Sequence, residues 1–276
     1  MDINVYFGFR TDEAPKLIDY LEKNQIPYGS GEMVCSVEIL QSSIYWPAIY
    51  DFINEYQLLV FSETLFTKAE LAAAEWLRVR SKWRAGYPQP EGDFEYEGIT
   101  YNSRSCDLCG CGLEQIDSFR IKKLPKWGKR NFFELNWIGD ELFVSDRARQ
   151  VLEQKIITGI SFKEVKNKNG TEVIPDVQQM FIHNLLCGGM IEDGSYIKDT
   201  YICPKCHTKK FLPSGIGMMR FHREVFRDAP DVVKTAEIFG GGHYAARDII
   251  IRNHVYQTLT ENLLDSSLVF EPIELI

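Results

Sequence analysis

The chain has 276 residues, 45% hydrophobic, 25% charged and 13% aromatic, with a formal net charge of −8. That is enough apolar material for the core of one large or two medium domains, and it excludes a disordered tail or a small disulfide-stapled scaffold. No apolar run reaches the ~18 residues of a membrane span, and Met1-Asp2-Ile3-Asn4 opens no basic, leucine-rich leader, so the expected address is cytoplasmic.

Ile3 to Phe9 alternates apolar and polar residues as a strand does. Asp12 to Lys23 places Leu17, Ile18 and Leu21 at helical spacing, with Thr11 or Asp12 as N-cap. Met33 to Leu40 reads as a second strand, Trp46 to Tyr56 as a helix with Pro47 in its first turn, and Leu58 to Phe61 as a third strand. Thr67-Lys68-Ala69-Glu70 has the form of a capping box and opens a helix predicted to run to about Trp83, favoured by Ala72-Ala73-Ala74. The turn-rich Gly86 to Asp93 follows, and the charge changes there. Residues 1–100 carry 16 acidic and 8 basic side chains, whereas residues 101–276 carry 23 of each. The fold class expected is α+β: an acidic α/β domain over 1–95 and a second α+β domain over 96–276.

The second part holds a degenerate internal repeat, one copy over 140–165 and the other over 248–273. Each copy reads as a strand, a capping residue (Ser145 or Asn253), a short helix and a second strand. Leu152 matches Leu259, and Phe162 matches Phe270. Two copies are too few for a solenoid and suggest a paired, pseudo-symmetric unit.

The sharpest chemical signal is Cys106-Asp107-Leu108-Cys109-Gly110 together with Cys203-Pro204-Lys205-Cys206-His207. A Cys-x-x-Cys turn sets two thiolates at the separation of two corners of a metal–sulfur tetrahedron. Gly110 permits the positive φ that turns backbone N–H groups toward the sulfurs, and Pro204 pre-sets the second turn. Without an export signal this usage favours metal over disulfides, and the expectation is a structural Zn2+ held by Cys106, Cys109, Cys203 and Cys206. The pairs lie much farther apart in sequence than in a standard zinc ribbon. Two separate reduced pairs, or one redox-active pair, are the alternative. Cys111 and His207 are further candidate ligands. Cys35 and Cys187 lie in apolar sequence and read as buried small hydrophobes.

These turns, with Phe143-Val-Ser-Asp-Arg147, Gly159-Ile-Ser-Phe162, Ile249-Ile-Ile-Arg-Asn253 and Leu268-Val-Phe-Glu-Pro-Ile273, resemble the bacterial double-CXXCG motif proteins. The last two motifs are also similar to C-terminal segments of immunity proteins of polymorphic-toxin systems. The resemblance spans roughly residues 100–276. It implies the four cysteines as metal ligands and nothing catalytic. His207 departs from the pattern, which has Gly after the second pair.

Two other surfaces stand out. Phe119 to Arg130 holds Arg120, Lys122, Lys123, Lys126, Lys129 and Arg130 with no acid, interleaved with Trp127. Lys205, Lys209, Lys210, Arg220, Arg223 and Arg227 form a second basic cluster over 205–227. Together they suggest nucleic-acid association as the alternative function, against plain solvated loops. Glu91, Asp93, Phe94, Glu95, Tyr96 and Glu97 alternate charge with aromatic rings, a pattern suited to a protein partner or to a solvated edge strand. Gly240-Gly241-Gly242-His243 reads as a flexible connector or a β-turn, because a strand follows it rather than a helix. No Walker, Gly-x-Ser-x-Gly, dinucleotide or His-Glu-x-x-His motif is present, and no His-x-Glu precedes Cys203. The sequence therefore points to a non-enzymatic cytoplasmic binding protein. An immunity protein that occludes a cognate toxin, with no membrane role, is the leading expectation.

Overall fold

Period-two alternation builds the first sheet. The computed structural model describes residues 1–31, 33–102, 105–192 and 196–276. Strand β1 (Asp2–Arg10), helix α1 (Pro15–Lys23), β2 (Tyr28–Ser30), β3 (Val34–Leu40), α2 (Trp46–Glu55) and β4 (Val60–Leu65) follow one another. The strands pair antiparallel in the order β2-β3-β1-β4. This is the β-α-β-β-α-β arrangement of ferredoxin-like folds. Val5, Phe7, Phe9, Val37 and Ile39 bury against Leu17, Leu21, Ile49 and Ile53 of the two helices. Helix α1 starts at Pro15 rather than Asp12 and has no side-chain cap, because Asp12 instead pairs with Arg10 in the preceding turn.

The capping box forms as read. Thr67 Oγ1 accepts from the Glu70 N–H at 3.2 Å, and the Glu70 carboxylate accepts from the Thr67 N–H at 2.8 Å. The helix it opens, α3 (Lys68–Ala73), stops far short of Trp83, and the chain re-extends as β5 (Trp76–Ser81). Helix propensity loses here to tertiary pairing. Leu77 and Val79 face one core, Trp76 faces another, and Arg78 forms ion pairs with Asp248 and Glu271.

Downstream come α4 (Glu97–Thr100), β6 (Arg120–Ile121), β7 (Phe132–Phe133), β8 (Leu142–Val144), α5 (Asp146–Gln154), β9 (Ile160–Asn167) and β10 (Val173–Ile182). Then follow β11 (Ile197–Ile202), β12 (Lys209–Pro213), β13 (Arg220–Phe221), β14 (Val232–Lys234), β15 (Ile238–Phe239), β16 (Ile249–Arg252), α6 (Asn253–Glu261), β17 (Leu268–Pro272) and β18 (Glu274–Leu275). The larger sheets run β6-β9-β10-β8-β7 and β14-β16-β5-β17. A smaller sheet runs β11-β12-β15, and β13 pairs with β18.

The two repeat copies share one topology. In the first, β8 and β9 flank β10, each antiparallel to it. In the second, β16 and β17 flank β5 in the same way. The first copy thus takes its middle strand from the chain that follows it, and the second from the acidic first third. The charge break near residue 95 and the packing break therefore do not coincide. Leu142, Val144, Leu152 and Phe162 of one copy share a core with Ile249, Ile251, Leu259 and Phe270 of the other. Both helices end on a left-handed residue, Ile156 (φ 53°) and Leu263 (φ 54°). A buried acid precedes each first strand. Glu141 accepts from Gln179 of β10, and Asp248 pairs with Arg78 of β5.

One capping residue is corrected. Ser145 caps α5, accepting from the Ala148 N–H at 3.2 Å, but the N-cap of α6 is Arg252, with no side-chain bond. Asn253 turns backward, and its Nδ2 donates to the carbonyls of Leu71, Ala72 and Ala74 at 2.9, 3.3 and 2.6 Å. It closes the end of α3 and holds β5 in place. Asn253→Ala is expected to destabilise the protein by about 1–2 kcal/mol, read from the shift of the denaturant midpoint at constant slope.

Candidate metal centre

Both Cys-x-x-Cys turns sit at the tips of hairpins. Cys203 to Thr208 links β11 to β12, whose register closes with Ile202 opposite Lys209. Cys106 to Cys111 is flanked by an antiparallel bridge between Tyr101 and Gln115. The two tips have the same backbone bonding. Gly110 N–H donates to the Cys106 carbonyl at 2.7 Å, and His207 N–H to that of Cys203 at 2.9 Å. Cys106 N–H donates to the Cys111 carbonyl, and Cys203 N–H to that of Thr208. Gly110 has φ +73° and His207 φ +59°, so His207 takes the left-handed geometry that glycine takes in the first turn, at a cost of roughly 1–2 kcal/mol. At Gly110 no side chain fits, since a Cβ would lie 2.0 Å from the His243 carbonyl oxygen.

The fold brings the four cysteines together. The sulfurs of Cys106, Cys109, Cys203 and Cys206 all lie within 4.8 Å of one another and form a group that can hold a metal ion. Cys106 and Cys203 are 3.8 Å apart, Cys109 and Cys206 3.4 Å. Cys111 is buried beside them, its Sγ 3.9 Å from the Cys109 carbonyl, and neither it nor His207 belongs to the group. Bonding to Thr208, through its side chain and its backbone, holds the Cys206 thiol down to about 6; the backbone around Cys206 likewise lowers Cys203. Burial pushes Cys109 up. Both downward shifts favour the thiolate, the form that ligates, and a cation held there would offset the burial of Cys109. Cys35 is buried in the first core as expected, whereas Cys187 is exposed, which corrects the reading of it as a small core residue.

Lys210 is the residue whose role the sequence misassigned. It reads as part of a basic cluster, yet it is wholly buried. Its Nζ donates to the carbonyls of Cys109, Gly242 and Tyr244 at 3.1, 2.7 and 2.9 Å. The ammonium thus ties the first cysteine turn to the Gly240–His243 segment, which forms the expected turn, between the antiparallel-paired Phe239 and Ala246, and lies as a lid over the cysteines. His243 closes the other side, 3.3 Å from Glu97. An ammonium here would also offset the negative charge of ligating thiolates.

Four of the other five members of the second cluster, all but Arg227, carry carboxylate partners. Lys205 pairs with Asp107 across the two cysteine turns, Lys209 with Glu192, Arg220 with Glu274 and Arg223 with Glu75. Lys122, Lys123, Lys126 and Lys129 of the first cluster stay exposed. Arg120 of that cluster is half-buried and pairs with Asp117. Arg130 lies over the Trp83 ring, 3.9 Å from its centroid.

The acidic-aromatic segment is neither an edge strand nor a row of anchors. Gly92–Phe94 forms a 3-10 turn that leads into α4. Tyr96 is buried in the core behind the first repeat sheet, and Glu97 faces His243. Glu91, Phe94 and Glu95 are exposed, and the side chain of Asp93 lies outside the described residues. Tyr96 is pulled inward because its ring packs on Tyr101 and Trp137, which leaves Phe94 as the one aromatic ring of the segment at the surface.

A feature that the sequence reading passed over is the uncovered face of the first sheet. Asn4, Tyr6, Glu38, Leu40, Phe61 and Leu65 line a shallow cavity of about 780 Å³ there. Phe61 is 65% exposed and Val34 55%. Tyr6 donates to Glu63 at 2.6 Å, and Asn4 to Glu38 at 2.8 Å, fixing two acids among the apolar groups. The signal was present as the outward half of the β1 and β3 alternation, in which Leu40 interrupts the polar series.

No protein-family model matches the chain, and no curated protein is similar to it in sequence. No helix among the described residues is long and apolar enough to cross a membrane.

Lys210→Met removes the three bonds that hold the first turn against its lid. It is expected to weaken binding of a Co2+ probe about 10–100-fold, measured by chelator competition on the thiolate absorption band.

Proposed function

We propose that this chain is a non-enzymatic cytoplasmic binding protein, clasped by a structural Zn2+, whose acidic N-terminal sheet occludes a cationic protein partner. The uncovered sheet face carries this reading. It presents Val34, Leu40, Phe61 and Leu65 exposed among Asp2, Glu38 and Glu63. The charge among these apolar groups is mainly acidic, with Arg10 opposite Val34 tied to Asp12 and Glu13, and such a face suits a cationic protein partner, with charge steering the encounter and apolar contact holding it. The resemblance to double-CXXCG and immunity proteins supports a toxin as that partner.

Zinc suits the donor set. Four thiolates around one point leave no open coordination position, the mark of a structural site. A tetrahedron with Zn–S of about 2.3 Å has sulfurs about 3.8 Å apart, and the Cys106–Cys203 separation is 3.8 Å. Bound zinc would cross-link the turn before the first repeat copy to the turn before the second.

Protein purified without added metal is expected to hold close to one zinc per chain by elemental analysis. A Cys106→Ser/Cys203→Ser variant should lose it, and chelation should lower the melting temperature. Full occupancy in that variant would overturn the four-ligand assignment.

The partner reading is tested by rescue. Cells expressing a basic toxin domain encoded beside this gene should survive with the wild-type chain. They should not survive with Phe61→Arg/Glu38→Lys, which places bulk and like charge on the sheet face without touching its core. Rescue by both overturns the face. Rescue by neither, with no complex formed, overturns the partner.

A further inference from the structure

We propose a second site, independent of the sheet face: the groove between the Trp83–Glu91 turn and the Lys122–Arg130 loop binds a nucleotide unit. The groove encloses about 470 Å³ and is lined by Trp83, Tyr87, Lys122, Lys123, Lys126 and Arg130 among others. That volume lies in the range of small-molecule sites, roughly 300–1,000 Å³.

Charge and shape both select the ligand. Lys122, Lys123 and Lys126 make no ion pair among the described residues, unlike the basic residues of the other cluster that carry carboxylate partners. One acid, Glu91, lines the groove and accepts from Gln89 at 3.4 Å, so the four cations leave a clear positive excess for a phosphate. Arg130 is the selective element. One face of its guanidinium lies on Trp83, and its N–H groups donate to the carbonyls of Trp127 and Lys126 at 3.3 and 3.0 Å. Trp83 is itself wedged edge-on between Trp127 and Phe133. The guanidinium is therefore held flat before any ligand arrives, its outer face free to stack on a base, as arginine planes do in single-strand recognition. Beyond Tyr87 the aromatic surface continues. Tyr87 and Phe94 pack on Trp137 at 4.6 and 5.0 Å, and each of the three rings is more than a third exposed. A strand longer than one nucleotide finds stacking partners there.

The test uses the intact chain at 50 mM salt against four probes: adenosine monophosphate, inorganic phosphate, and a mixed 12-nucleotide RNA as single strand and as duplex. The proposal expects the single strand, the monophosphate or both to bind better than phosphate alone and better than the duplex. Binding of the monophosphate alone identifies a free nucleotide as the ligand, and stronger binding of the single strand identifies a polymer. Lys122→Gln/Lys123→Gln/Lys126→Gln should weaken the single strand at least tenfold and lower its log–log salt slope by about 2. Arg130→Lys keeps the charge and loses the plane, so affinity should fall roughly tenfold at unchanged slope, with the melting temperature followed to confirm folding. No binding to any probe, equal binding to phosphate or duplex, or a triple variant that binds like wild type overturns the site. None of these changes touches the sheet face, so rescue of toxin-treated cells reports on that reading separately.

Discussion

A strand–helix–strand unit whose two strands run parallel with a gap between them leaves two rows of backbone N–H and C=O groups facing that gap. Buried groups of this kind must be paired. Every helix-bearing sheet in this protein obeys that constraint with an antiparallel middle strand: β3 between β1 and β2, β1 between β3 and β4, β10 between β8 and β9, and β5 between β16 and β17. The last case organises the molecule. The second repeat copy cannot complete its sheet from its own neighbourhood, so a strand from the first third of the chain fills it. Asn253 of that copy in turn closes the helix that delivers the strand.

The same pairing places the cysteines. Each turn is the tip of a hairpin that precedes its own repeat copy, and the shared core of the copies fixes how the tips meet. Lys210, reaching three carbonyls from a buried position, then holds one tip against the Gly240–His243 lid. A metal held by this group would be coupled to the fold rather than added to it, because the four cysteines come from segments joined by one complete copy.

Charge is partitioned rather than spread. The basic residues after the second cysteine turn are largely spent on ion pairs, whereas Lys122, Lys123 and Lys126 face open solvent around a flat arginine. The acidic excess lies on the first sheet and around it. The protein therefore carries two surfaces of opposite character on one frame, one apolar and acidic and one aromatic and basic.

Local patterns determined much by themselves. The alternation of β1 and β3, the Thr67–Glu70 capping box, the Ser145 cap and each Cys-x-x-Cys turn are written in spacings of a few residues, where side-chain periodicity and capping chemistry act, whereas the meeting of the two turns in one group is decided by the fold. What tertiary structure alone decided are the choices between locally acceptable alternatives. Trp76 to Ser81 follows three alanines and reads as helix, yet a gap in a distant sheet draws it into a strand. Asn253 is a good N-cap in isolation, yet the end of α3 offers it three carbonyls. Lys210 looks like a surface cation until the cysteine turn folds over it, and Tyr96 looks like an anchor until the core takes its ring. In each case a partner remote in sequence supplied a hydrogen bond, a pair or a buried surface larger than the few tenths to one kcal/mol that local preference provides.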